Sequence, residues 1–216
     1  MSPARTALLV IDMQRDFLDL GGYAAATGMD ISALRHPIQA VRRLLGVARR
    51  LGMLVVHTRE GHRSDLTDCP PAKLARSREA GAEIGSTGPL GRLLVRGEFG
   101  HDFIDELAPL PGEPVIDKPG YGAFHQTDLS QVLLNRGIEH LILTGVTTEV
   151  CVHSTLREAV DRGYRCALAS DACGSAYPHL HTAALQMVMV EGGVFGRVAD
   201  SATLITELES RQEASP

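Results

Sequence analysis

The chain has no tryptophan, and aromatic residues make up only 4% of its 216 residues. It also has no apolar run approaching the roughly 20 residues that a membrane-spanning helix requires. Its first apolar stretch is interrupted by Asp12, which makes it too short for a signal-peptide core, and it lacks a small-residue cleavage site. We therefore expect no membrane association and a cytoplasmic location.

Basic residues are not concentrated in any one segment. The 21 Lys and Arg are scattered and the formal net charge is −5, whereas a nucleic-acid-binding protein usually shows a basic stripe. The four cysteines form no CxxC pair and no disulfide framework, so we expect free thiols. We expect structural roles for Cys69 in a loop, Cys166 inside a strand and Cys173 at a strand end. Arg76 and Arg78 lie in a charged connection and are expected to be solvated.

Short apolar runs alternate with helical patterns along the chain. Five runs are predicted to be buried strands, at 6–11, 53–58, 114–117, 140–144 and 165–170, and a weaker sixth lies at 194–198. Apolar spacing and closing glycines predict helices at 37–51, 128–135, 149–162 and 179–191. This alternation predicts a three-layer α/β/α domain with a mainly parallel, Rossmann-like sheet of about six strands. We assign this domain to residues 1–208 and expect a disordered tail at 209–216.

Three reactive side chains follow predicted strands: Asp12, Lys118 and Cys151. Because the carboxyl ends of parallel strands share one edge of the sheet, we expect these side chains to meet there. The predicted helix that begins near Cys151 would favour its thiolate, and a Lys118 ammonium would stabilise the thiolate further. Asp12 could accept the thiol proton and return it to a departing amine. The alternatives are a buried apolar cysteine, a turn aspartate and a solvated lysine.

Several segments resemble one known family. LLVIDMQRDFL, IDKPGYGAF, LILTGVTTEVCVHSTLREAVDRGY and DACGS, in this order, are similar to the isochorismatase-like cysteine hydrolases, over about residues 6–208. The resemblance implies a catalytic triad of Asp12, Lys118 and Cys151 and a cis peptide bond between Val146 and Thr147. The oxyanion donors would then be the backbone N–H groups of Thr147 and Cys151. The resemblance also implies hydrolysis of a small amide through a thioester, without a cofactor, in a homo-oligomer for which a tetramer is favoured.

Some members of this family bind a metal through an aspartate and two histidines after the second strand. The corresponding stretch here is HTREGHRSDL, in which the spacing of His57 and His62 does not match that pattern. Two histidines alone are also a weak metal signal. We therefore expect no metal site.

Finer details are most similar to the biuret hydrolases of the family. They are GGY at 21–23, HTREGHRSDLTD at 57–68, RGE at 96–98, KPGYGAF at 118–124 and GGVFG at 192–196. This resemblance implies a small ureido substrate and release of ammonia, a reaction of nitrogen metabolism. The biuret hydrolases have a glutamine where this chain has Glu191, and a carboxylate there would favour a cationic substrate such as guanylurea. Alternatively, Glu191 ends its helix facing solvent.

We expect six further residues to surround the triad and bind the substrate. They are Phe17, Arg59, Glu60, Tyr121, Phe124 and Glu191. Two alternatives stay open. The substrate could be another amide, such as ureidoacrylate, triuret or a different carbamoyl compound, or the chain could be a binding protein that has kept the fold without the chemistry.

Overall fold

The computed structural model describes residues 1–213, and side chains are described to residue 211. In chain order the strands are β1 (Thr6–Ile11), β2 (Leu54–Glu60), β3 (Thr87–Gly88), β4 (Gly91–Arg92), β5 (Val115–Lys118), β6 (His140–Val146), β7 (Arg165–Gly174) and β8 (Arg197–Ala199). Six of them form a parallel sheet in the order β5-β2-β1-β6-β7-β8, and β3 and β4 form a small antiparallel pair. The predicted six-stranded parallel sheet is confirmed.

Ten α-helices are described within residues 1–213. They are α1 (Arg15–Leu18), α2 (Tyr23–Ala26), α3 (Ile31–Arg35), α4 (Ile38–Arg50), α5 (Pro71–Glu79), α6 (Leu129–Asn135), α7 (His153–Asp161), α8 (Pro178–Val188), α9 (Val190–Gly193) and α10 (Ser201–Glu213). A π-helical turn, Thr148–Val152, leads directly into α7. Within the described range, no helix combines the length and apolarity required to cross a bilayer.

Two apolar clusters cover the two faces of the sheet. Successive side chains of a strand point to opposite faces, and β1 shows this directly. Leu8 and Val10 belong to the cluster that includes α4 and α10, whereas Leu9 and Ile11 belong to the cluster that includes α6 and α7. This division produces the predicted three layers.

Some predicted boundaries differ from the observed ones. The last strand is Arg197–Ala199 rather than 194–198, and α10 continues to Glu213, so the tail expected to be disordered is helical over 209–213. Residues 214–216 of that prediction lie outside the described residues. The helix predicted to begin at 149 begins as a π-helical turn instead.

The carboxyl edge of the sheet is closely packed where β1 and β6 end. Gly145, in β6, has a φ of +111°, and a Cβ at this position would lie 2.0 Å from the carbonyl oxygen of Ile11. Only glycine fits such a contact and such a backbone conformation. This packing holds the chain after β1 close to the turn that follows β6.

Candidate active site

Asp12 is the first residue after β1 and is completely buried. Its φ of +52° places it in the left-handed region, which aspartate tolerates better than most residues. Its N–H group donates to the carbonyl oxygen of Thr58 at 3.1 Å, and the Thr58 hydroxyl donates to Asp12 Oδ1 at 2.6 Å. These contacts with β2 leave Oδ2 directed at Lys118, whose Nζ lies 2.8 Å away.

Lys118 ends β5 and links Asp12 to Cys151. Its Nζ, which is also buried, donates to the carbonyl oxygen of Gly120 at 3.0 Å and to Cys151 Sγ at 3.5 Å. Cys151 lies in the π-helical turn after β6 and is 4% exposed. The structure therefore brings together the three residues predicted to form the triad.

A second ion pair completes the group around the thiol. Glu60, at the end of β2, accepts a hydrogen bond from Cys151 Sγ at 3.2 Å and lies 2.6 Å from Lys73 Nζ of α5. Lys73 also donates to the carbonyl oxygen of Pro119 at 2.7 Å. Glu60 was expected to bind substrate, whereas the structure places its carboxylate against the proposed nucleophile. We call Asp12, Glu60, Lys73, Lys118 and Cys151 the buried cluster.

Gln14 fixes the backbone that carries Glu60. Its side-chain amide donates to the carbonyl oxygens of Glu60 at 3.0 Å and His101 at 2.9 Å, and its side-chain oxygen accepts from the Glu60 N–H group at 2.7 Å. Neither Gln14 nor Lys73 was predicted from the sequence. Gln14 lies two residues after Asp12 in the same segment, which is a signal that could have identified it, but nothing in the sequence around Lys73 distinguishes that lysine.

The two carboxylates of the buried cluster have opposite pKa shifts. Burial raises the pKa of Asp12 above its ordinary value, and the Glu60 charge adds to this, although Lys118 opposes it. Burial would also raise the pKa of Glu60, but Lys118 and Lys73 outweigh that effect and lower it to about 2. Glu60 is therefore a fixed negative charge at neutral pH, and Asp12 is the carboxylate better able to take up a proton.

Burial is also the largest influence on the pKa of the thiol. It raises the pKa of Cys151 well above its ordinary value, with Lys118 opposing the shift and Asp12 and Glu60 adding to it. Burial therefore opposes the stabilisation of the thiolate that we expected from the helix start and from Lys118. For Lys118, burial would lower the pKa, but Asp12, Cys151 and Glu60 outweigh it and raise the pKa above its usual range.

A cavity of about 250 Å³ opens onto Cys151. Its lining is mainly apolar and aromatic, with a few polar and charged side chains: Phe17, Tyr23, Met29, Glu60, Lys73, Arg76, Ser77, Ala80, Ile84, Tyr121, Thr147, Val150 and Cys151. Among the expected substrate-binding residues, Phe17, Glu60 and Tyr121 line this cavity. Its volume lies below the range of drug-sized ligand sites, which indicates a small ligand.

Three of the expected substrate-binding residues lie elsewhere. Arg59 precedes Glu60 in β2 and therefore points to the opposite face, where it pairs with Asp117 and Asp102. Phe124 is buried in the core and stacks on Tyr164. Glu191 is exposed, with a φ of +51°, at a kink within α9. These three residues do not line the cavity, and Glu191 faces solvent as in the alternative given above.

The two histidines after the second predicted strand have separate partners. His57 Nε2 lies 2.9 Å from Glu113 Oε2, and His62 Nδ1 lies 3.3 Å from Asp68 Oδ1. Among the described residues, the acid and thiol ligands close enough to share an ion are those of Asp12, Glu60 and Cys151. Both carboxylates already contact buried ammonium groups, so a cation there would have to compete with Lys73 and Lys118.

Comparison with known proteins identifies the family. The isochorismatase domain matches residues 6–203, which is most of the chain. The chain belongs to the isochorismatase family. It is 35% identical over 186 residues to the ureidoacrylate amidohydrolase RutB of Pantoea ananatis (strain LMG 20103), covering 82% of this chain and 72% of that protein. RutB of Cronobacter sakazakii (strain ATCC BAA-894) is also 35% identical, over 180 residues, covering 82% of this chain and 78% of that protein.

Solved structures of the isochorismatase family share the fold. The crystal structure of a cysteine hydrolase from Pseudomonas syringae pv. phaseolicola 1448A superposes with a TM-score of 0.83 at 27% identity, covering 98% of this chain and 95% of that one. An isochorismatase family protein from Desulfovibrio vulgaris subsp. vulgaris str. Hildenborough gives a TM-score of 0.78 at 26% identity, covering 95% and 98% respectively. The predicted family and the prediction of a hydrolase are confirmed.

Proposed function

We propose that this isochorismatase-family hydrolase is a cysteine amidohydrolase that cleaves the terminal C–N bond of a small ureido compound and releases ammonia. The observation that carries the proposal is the contact of Cys151 Sγ with Lys118 Nζ, which in turn contacts Asp12, beneath a small cavity. Thiol, carboxylate and ammonium are the groups that acyl transfer by a cysteine requires. Two relatives at 35% identity are named for amide hydrolysis, which supports the same class of reaction.

Proton transfer within the buried cluster conserves its charge. With a neutral thiol and an ionised Asp12, the two carboxylates balance Lys73 and Lys118. Moving the thiol proton to Asp12 creates a thiolate and removes the Asp12 charge, so the sum is unchanged. Such a transfer requires no additional buried charge, and buried charges without partners are costly. We therefore assign proton transfer to Asp12 and a constant electrostatic role to Glu60 and Lys118.

The reaction follows from these roles. Cys151 Sγ forms a bond to the ureido carbonyl carbon as its proton moves to Asp12. The C–N bond to the terminal NH₂ then breaks, and Asp12 returns the proton so that ammonia leaves and a thioester remains. Water attacks the thioester carbon, gives a proton to Asp12, and the thiol is regenerated as the carbamate leaves.

The oxyanion of each tetrahedral intermediate also requires donors. We assign them to the backbone N–H groups of Thr147 and Cys151, as the family resemblance implies. In support, both residues line the cavity. The Val146–Thr147 bond is cis, in agreement with the resemblance. Donors of this kind typically contribute a factor of about 100 to 1,000 to the rate.

The specific substrate is a further part of the proposal. Biuret and guanylurea agree with the motif details, and ureidoacrylate agrees with the names of the two relatives at 35% identity. The preference for guanylurea depended on a Glu191 carboxylate in the pocket, and Glu191 does not line the cavity. We therefore propose a ureido substrate without retaining guanylurea as the favoured one.

The proposal is tested by ammonia release from biuret, guanylurea, triuret, ureidoacrylate and nicotinamide. The wild-type enzyme should release ammonia from at least one ureido compound, whereas Cys151→Ala and Cys151→Ser should release none. Intact-protein mass spectrometry after rapid quenching should detect the acyl adduct on Cys151. Cys166→Ala is a matched control, because Cys166 is also buried but its thiol donates to the carbonyl oxygen of Tyr164 and not to the buried cluster. Retained activity in Cys151→Ala would refute the role of Cys151 as nucleophile. No ammonia from any compound would refute the proposal and favour a non-catalytic binding protein.

A further inference from the structure

The cavity that opens onto Cys151 is lined by a positive charge that has no ion-pair partner among the described side chains. Three charged side chains line it: Glu60, Lys73 and Arg76. Lys73 lies 2.6 Å from Glu60 and neutralises it. The Arg76 side chain is exposed, and within the part of the chain whose side chains are described it has no hydrogen bond, ion pair or ring contact. The cavity therefore has a net positive charge while the thiol is neutral.

Arg78, on the same helix, differs from Arg76 in having a partner within the protein. Its guanidinium makes two hydrogen bonds to Glu83, at 2.8 and 2.7 Å, on the outer surface. Arg76 lies two residues earlier in α5, on the side of the helix that faces the cavity. Its five N–H donors are thus presented to the space that a substrate would occupy.

Arg76 also lies where the cavity meets a wider groove of about 640 Å³. Lys73, Arg76 and Tyr121 line both spaces. A ligand whose reacting carbon is at Cys151 would lie in the same cavity as Arg76 and could extend towards this boundary. A carboxylate at its far end would meet the guanidinium, which matches carboxylate geometry with two parallel hydrogen bonds.

We infer that Arg76 is a specificity-determining residue that binds a substrate carboxylate, so that the preferred substrate is a ureido acid with a terminal carbamoyl amide. The inference rests on the proposed amidohydrolase function and adds the charge of the substrate to it. A cationic ureido compound would be repelled by the net positive charge of the cavity. A neutral one would gain no charge-assisted hydrogen bond from the guanidinium, which stays exposed to water.

The test uses two substrates that differ only in the carboxylate, 3-ureidopropionate and propylurea. Arg76→Gln removes the charge and should raise KM for 3-ureidopropionate by ~10-fold or more, because a charge-assisted pair of hydrogen bonds is lost. It should change kcat by less than ~3-fold, since binding far from the reacting carbon is similar in ground and transition states. The KM for propylurea should change by less than ~2-fold. Arg76→Lys should recover part of the lost affinity.

Arg78→Gln is the matched control and should leave both substrates unaffected. The inference is overturned if Arg76→Gln changes KM for the two substrates by the same factor. It is also overturned if the wild-type enzyme uses biuret, guanylurea or propylurea with a higher kcat/KM than 3-ureidopropionate and ureidoacrylate. In both cases the amidohydrolase proposal stands. If none of these compounds releases ammonia, the proposed function itself fails, and the inference fails with it.

Discussion

Replacement of Glu60 by glutamine should make Cys151 more reactive as a nucleophile towards a small alkylating agent. The Glu60 carboxylate lies 3.2 Å from Cys151 Sγ and raises the pKa of the thiol. Glutamine preserves the size of the side chain but removes the charge. The cluster would then carry a net charge of about +1 with a neutral thiol, and ionisation of the thiol would restore neutrality.

The size of the effect follows from the short separation. A unit charge about 4 Å away contributes on the order of 4 kcal/mol at an effective dielectric constant of about 20. Because one pKa unit corresponds to about 1.36 kcal/mol, the upper limit is a decrease of about 3 units in the thiol pKa. Movement of Lys73 and water towards the altered site will reduce this. We therefore expect a decrease of at least about 1 unit, or ~10-fold more thiolate at a pH below both pKa values.

The measurement is the rate of iodoacetamide alkylation at Cys151 near pH 8, resolved from the other cysteines by peptide mass spectrometry. Glu60→Gln combined with Lys73→Met removes both charges of the pair, so its rate should return towards that of the wild type. Glu158→Gln, in the wider groove next to the cavity, is a control for surface charge. A rate for Glu60→Gln equal to or below the wild-type rate, in protein with a native circular dichroism spectrum, would refute the electrostatic role assigned to Glu60.

Three further outcomes are expected. Asp12→Asn should lower kcat by ~100-fold or more, because an amide cannot accept the thiol proton; a decrease below ~10-fold would exclude Asp12 as the proton acceptor. Exhaustive treatment with chelators should leave ammonia release unchanged, since Lys73 and Lys118 already satisfy the two carboxylates; loss of activity that zinc restores would contradict this. Glu191→Gln should change kcat/KM for biuret and guanylurea by the same small factor, below ~2-fold. A selective ~10-fold loss with guanylurea would place its carboxylate at the substrate.

The sheet and the meeting of Asp12, Lys118 and Cys151 could be predicted from the sequence because both depend on local signals. Continuous apolar runs identify buried parallel strands, and a polar residue directly after such a run lies at the carboxyl edge. The position of Arg59 away from the cavity also has a local cause. Adjacent residues of a strand point to opposite faces, so Arg59 and Glu60 could not both face the cavity.

Other parts of the site depend on contacts between segments that are distant in the chain. Lys73 acquires its role only because the fold brings it to Glu60 at the end of β2, and Arg76 lines the cavity because it lies on the same helix. Neither position has a periodicity or spacing that distinguishes it from a solvated residue. The pKa of Cys151 could not be predicted either, because burial, which the sequence does not specify for a single residue, outweighs the effect of Lys118.

The pair formed by Glu60 and Lys73 has a consequence for how such enzymes can diverge. Substitution of either residue alone leaves a buried charge beside the thiol, at a cost of about 3–5 kcal/mol, which is a large part of the stability of a typical domain. The two positions should therefore be inherited together and exchanged together among relatives. Arg76 lies three residues after Lys73 in the same helix, but its side chain has no partner among the residues whose side chains are described. Within α5, Lys73 is thus constrained by its pairing with Glu60. Arg76, one turn away, can be substituted without breaking such a pair, so it can change as related enzymes acquire different substrates.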